Sequence, residues 1–144
     1  MERNRGFSLL ELLIVVAVIL IIATIAIPSL LKSRQTAHEA AAVATLKTIS
    51  TAEISYTTAN SGTFGNLSDL VAAGLLPSSL TGSSMNGYRY SVDMASNFRD
   101  YTVWANAVTN AEGRYDYYTC PDWVIRFSTD STRAPAGVAG QPVH

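Results

Sequence analysis

The chain has 144 residues, about one domain's worth, and a formal net charge of −1 with 15% charged residues. That balance gives no footing for a general nucleic-acid binder, which needs a basic face, and Arg89, Arg99, Arg114, Arg126 and Arg133 are scattered along the sequence. Apolar residues make up 48%, but they are unevenly spread, so the globular part is smaller than the length implies.

The first element is a basic leader, residues 1–6, carrying Arg3 and Arg5 and ending in Gly6. An apolar stretch follows, in which residues 12–27 hold no charge and Thr24 is the only polar side chain. As a helix, residues 7–27 would reach about 32 Å, close to the roughly 30 Å hydrocarbon core of a bilayer. Helices apolar on every side belong in membranes or at the centre of large proteins, and this chain is too small to enclose one. Arginines before the span predict a cytoplasmic N-terminus with the C-terminal body outside. A cleaved secretory signal has a similar opening, but Ala23-Thr24-Ile25-Ala26 offers its small-residue cleavage site only loosely.

Glu11 interrupts the head of this stretch, among Leu9, Leu10, Leu12 and Leu13. Ser8-Leu9-Leu10-Glu11 fits the capping box S/T-x-x-E, with Phe7 and Leu12 at the two positions of a hydrophobic staple. A carboxylate in a membrane segment also calls for a partner, because insertion scales penalise an ionised side chain near the bilayer centre by about 2.5–3.5 kcal/mol.

The run Arg5-Gly6-Phe7-Ser8-Leu9-Leu10-Glu11-Leu12-Leu13-Ile14-Val15-Val16 closely resembles the leader and N-terminal helix of type IV prepilins and the related type II secretion pseudopilins. The resemblance covers residues 5 to about 31. It implies cleavage between Gly6 and Phe7 by a prepilin peptidase, N-methylation of Phe7, and pairing of Glu11 with the Phe7 amine of a neighbouring subunit during filament assembly. Gly6, lacking a Cβ, suits close approach to a protease. Pro28 matches a helix proline common in these subunits, and proline removes a backbone donor, which predicts a kink or loosened turn near Ile25 to Leu31.

Residues 32–60 continue the helix as an amphipathic stretch, with Leu46, Ile49 and Tyr56 forming a stripe at spacings of three and seven. Lys47 and Glu53 are expected on the opposite, wet face. The head spans 61–127, opening with the turn-rich Ala59-Asn60-Ser61-Gly62. Ser68 to Ala73 reads as a short helix with Ser68 as N-cap and Gly74 beyond its end. Pro77 to Gly87 is a loop. Strand signals cover Tyr88–Met94, Tyr101–Val108, Tyr115–Cys120 and Trp123–Phe127, a four-stranded antiparallel sheet. Residues 128–144 hold Pro135, Gly137, Gly140 and Pro142 and read as a flexible tail. The expected fold class is therefore α+β, a long N-terminal helix packed on a small sheet, which is the pilin fold.

No nucleophile and base come together in sequence, so no enzyme and no cofactor are expected. His38 and His144 lack a metal-ligand spacing. Asp116, Asp122 and Asp130 lie close enough to raise the question of calcium, yet without an oxygen-ligand loop motif. Cys120 is the lone cysteine and reads as a buried structural thiol. Tyr88, Tyr90, Tyr101, Trp104, Tyr115, Tyr117, Tyr118 and Trp123 read as strand residues filling the sheet.

The resemblance thus implies a structural subunit, anchored in the inner membrane and polymerised into an extracellular pilus used for adhesion, twitching motility or DNA uptake. Its partners would be copies of itself, the prepilin peptidase, the assembly platform with its ATPase, and membrane lipid. The alternative within the same family is a pseudopilin in a periplasmic filament. A membrane-anchored binding module sharing only the leader is a third reading.

Overall fold

The computed structural model describes residues 6–128 and 141–143. The chain divides into two compact units, residues 1–34 and 35–144. Helix α1 (Leu9–Ala59) begins in the first and continues into the second, where it forms one layer. It runs as α-helix through Pro28, whose missing N–H leaves the Thr24 carbonyl without its usual helical donor.

In the second unit Leu46 and Ile49 of the expected stripe are buried and Tyr56 is half-buried. Ala42, Leu46 and Ile49 have no exposed surface and Ala52 has 5%. Burying a leucine or isoleucine contributes about 1.5–3 kcal/mol, so this stripe, rather than helix propensity, fixes the C-terminal half of α1. Lys47 is exposed as expected. Glu53 is not: it has no exposed surface at all. The spacing explains the correction, because Glu53 lies four residues beyond Ile49 and seven beyond Leu46, on the buried face of a 3.6-residue repeat.

Helix α2 is Leu67–Ala72, and its N-cap is Asn66 rather than Ser68. Asn66 Oδ1 accepts the Asp69 N–H while Asp69 Oδ2 accepts the Asn66 N–H, both at 3.0 Å, a complete capping box. The predicted stop at Gly74 stands, with the glycine in the left-handed region at φ +74°. The following loop contains a turn of 3₁₀ helix at Ser78–Thr81.

The sheet has five antiparallel strands in the order β1 (Tyr88–Met94), β2 (Tyr101–Ala107), β3 (Asp116–Thr119), β4 (Ile125–Ser128) and β5 (Gln141–Pro142). The expected tail largely lies outside the described residues, but its end contributes the fifth strand, pairing Arg126 with Pro142 and Phe127 with Gln141. A proline is tolerated there because β5 is an edge strand. In β2 the alternation is regular: Tyr101, Val103, Ala105 and Ala107 are buried while the residues between them are half-buried. Pairing Tyr90 with Ala105, and Ala105 with Tyr117, puts a small residue between two tyrosines on the inner face. Trp123 departs from expectation. It precedes β4, stands 51% exposed and takes φ +66°, because the Pro121-Asp122 turn continues through it.

Candidate functional site

At the N-terminal end, Gly6 and Phe7 precede α1 and are exposed, Phe7 at 83%. Ser8 is the cap. Its hydroxyl accepts the Leu10 N–H at 3.3 Å, and Glu11 Oε2 accepts the Ser8 N–H at 3.0 Å. Two of the backbone donors that a helix start leaves unpaired are thereby satisfied within the chain. A Cβ built on Gly6 would meet nothing within 4 Å. Among the described residues, nothing packs where a side chain at position 6 would stand.

Every residue from Leu9 to Ile22 is exposed, and so are Ile25, Ile27, Leu30 and Leu31. The most apolar 18 residues of α1 have a mean hydropathy of 3.1 and include no buried residue, and the helix is long and apolar enough to cross a membrane. An unburied stretch of this kind is stable in lipid or against other helices, not in water. The family pattern described as the prokaryotic N-terminal methylation motif matches residues 1–27. The type IV wide pilus major component PilA4 of Thermus thermophilus is 33% identical over 117 residues, covering 80% of this chain and 88% of its own. The chain belongs to the type IV pilin family. The type IV major pilin protein PilA of Myxococcus xanthus is 48% identical over 54 residues, 38% of this pilin and 24% of its own length. No solved structure matches the chain.

Four of the residues singled out from sequence, Gly6, Phe7, Glu11 and Pro28, fall in this first unit, and the structure brings Glu11 into contact with Ser8. The head of the pilin is held by polar contacts that sequence reading did not find. Arg114 reaches Glu39 of α1 through its backbone N–H at 2.9 Å, its Nε at 3.1 Å and its terminal nitrogen at 3.1 Å. Burial pushes the Glu39 carboxyl up, but the side-chain and backbone hydrogen bonds and the charge of Arg114 outweigh it and hold the group below the ordinary carboxylate range. Seventy-five residues separate the pair, and no local pattern announces it.

His38 Nδ1 lies 2.7 Å from Glu112 Oε2, and Gly87 passes beneath them at φ +75°, where a Cβ would stand 2.7 Å from the Glu112 Cβ. Asp116 is 4% exposed and accepts the Ala107 N–H at 2.8 Å, while Asp122 pairs with Arg126. Both are thus engaged in holding strands and turns, and Asp130 lies outside the described residues. No cluster of three or more His, Cys, Asp or Glu that could hold a metal occurs among the described residues. Cys120 is half-buried rather than buried, 3.8 Å from the Thr102 hydroxyl, and burial raises its thiol above the ordinary value. The aromatic set divides by face. Tyr88, Tyr90, Tyr101 and Tyr117 fill the core, while Trp104 and Tyr118 stack on the outer face with centroids 5.2 Å apart.

Proposed function

We propose that this pilin is a major structural subunit, cut between Gly6 and Phe7, N-methylated at Phe7 and polymerised through its apolar helix into a surface filament. The observation that carries the reading is the likeness to PilA4 along four-fifths of the chain, joined to an N-terminal apolar stretch that the fold leaves exposed. Both relatives are named as major pilins, which favours a pilus over a periplasmic secretion filament. In this account residues 1–6 are the leader and 7–31 the membrane and polymerisation segment, with Arg3 and Arg5 keeping the N-terminus in the cytoplasm.

No described neighbour would meet a side chain at position 6, and a peptidase that binds extended backbone accounts for glycine there. Cleavage frees a cationic amine at Phe7. Once helices bundle and exclude water, that amine requires a carboxylate, and Glu11 of a neighbouring subunit provides it while its own cap bond is exchanged. The role is structural, with no cofactor. The peptidase, the assembly ATPase and the membrane platform are the partners this route requires. Adhesion, twitching and DNA uptake are the uses open to such a fibre.

The test is mass spectrometry of fibres sheared from cells that produce this chain. The expected N-terminus is Phe7 bearing one methyl group. Fibres with intact Met1, or with a terminus beyond Ala26, would refute the assignment.

A further inference from the structure

Two carboxylates are buried on the second half of α1, and their surroundings differ. Glu39 has a guanidinium. Glu53, with no exposed surface, has a single hydrogen bond: its Oε2 accepts the Gly65 N–H at 3.1 Å, and its Oε1 has no partner. The groups facing it are not cations. The charge of the Asp69 carboxylate of α2 acts against its ionisation, and the buried Tyr101 phenol of β2 interacts with it electrostatically. A neutral carboxylic acid is the less costly form in this place, since one oxygen accepts from Gly65 and only an uncharged hydroxyl is left without a partner. A carboxylate does not, because a buried charge with one amide donor is left largely uncompensated.

The segment that Glu53 holds is itself closely packed. A Cβ on Gly65 would stand 2.9 Å from the Tyr56 ring. Next to it, Phe64 sits edge-on to Tyr101 at 4.6 Å and donates its N–H to the Phe98 carbonyl at 2.9 Å. Residues 60–66 are therefore tied at once to α1, to β2 and to the β1–β2 turn.

We propose that Glu53 is a proton-operated clasp: protonated, it keeps residues 60–66 closed over the end of α1, and ionised, it drives that segment to open and admit water. Burial, with the Asp69 charge adding to it and the Gly65 bond opposing, raises the Glu53 carboxyl from 4.5 to about 7. A carboxyl raised in the closed state stabilises that state below pH 4.5, and the stabilisation is lost as pH rises through 7. Opening releases Phe64 from Tyr101 and from Phe98, so the exposed turn around Phe98 answers to the same proton. The clasp belongs to the head and operates whether or not the chain is assembled.

The experiment is hydrogen exchange on the full-length chain in detergent, followed as the protection factor of the peptide containing Gly65 at pH 5 and pH 7.5. Linkage with endpoints of 4.5 and about 7 predicts a loss of protection of roughly fifty-fold over that interval. Glu53→Gln, which is neutral at both values, should show no such loss while leaving the Leu46 region of α1 unchanged. His38 lies fifteen residues away, about 22 Å along the helix, and does not contact this segment. Constant protection of the wild-type peptide across the interval would overturn the proposal, whether or not the variant folds. So would a Glu53→Gln chain that keeps the full loss.

Discussion

Substituting Glu11 separates the two tasks assigned to it, because they differ in size and in chemistry. In the single chain Glu11 makes one hydrogen bond, accepting the Ser8 N–H at 3.0 Å, and its side chain is exposed. Losing such a cap costs about 1 kcal/mol, and glutamine serves nearly as well as glutamate because its amide oxygen still accepts. Pairing with the amine of a neighbour's Phe7 needs the charge itself, and a buried amine left alone costs about 3–5 kcal/mol. At about 1.4 kcal/mol per decade the second loss shifts assembly by roughly two to three and a half orders of magnitude, the first by less than one. We expect Glu11→Gln and Glu11→Ala subunits to insert and to be cut after Gly6, since neither change alters the leader or the span. Both should then accumulate in membranes while sheared fibres fall at least a hundred-fold, read as the fibre-to-membrane ratio on immunoblots. A Gln variant with wild-type fibres, beside a defective Ala variant, would show that Glu11 acts as a cap alone.

The head offers three further tests. Gly113→Ala places a methyl group on the hydroxyl of fully buried Tyr88, which donates to the Tyr115 carbonyl, and should destabilise the head by about 1–3 kcal/mol, seen as a lower melting temperature in near-ultraviolet circular dichroism. An unchanged melt would mean that the loop over Tyr88 is looser than described. Cys120→Ser keeps a polar partner for Thr102 and should change stability by less than about 1 kcal/mol, with fibres intact; loss of both fibres and covalent dimers on non-reducing gels would point to an intersubunit disulfide. Arg114→Met reverses a sign. With Arg114 present, Glu39 is held low and stabilises the fold above pH 4.5; without it, burial alone acts on the carboxyl, so the melting difference from wild type should widen as pH rises from 4 to 7, and a gap independent of pH would refute the pairing.

What could be read from the sequence was whatever repeats locally. The strands were legible because β2 alternates without interruption, and the buried stripe of α1 because Leu46 and Ile49 keep helical spacing. Residue type points Glu53 to water, but the spacing that buries Ile49 buries Glu53 as well. The cap of α2 was also legible, as an Asn and an Asp three apart, two residues before Ser68. The partner of Glu39 was not legible, because a contact across seventy-five residues leaves no periodic trace. Nor was β5, where two residues, one a proline, carry no strand signal and pair only because β4 presents an open edge.

The three glutamates of α1 rank by what each lacks. Glu39 is complete within the fold: three hydrogen bonds from one arginine fix it, and its loss would be felt in the isolated head. Glu53 lacks a cation and answers to protons. Glu11 has its backbone donor but sits beside exposed leucines, in a segment from which the proposed assembly would withdraw water as helices meet. Its requirement is therefore latent, absent from the single subunit and present only in a bundle. A side chain of that kind is tolerated in the monomer because it can be exposed, and it selects among bundles because only some of them bring an amine to it. On this ordering, substitution of Glu39 harms folding, substitution of Glu53 alters a response, and substitution of Glu11 leaves a well-folded subunit that cannot assemble. A Glu11 variant with a destabilised head would contradict the ordering, since Glu11 lies in the first unit and its hydrogen bond is to Ser8 of the same helix start.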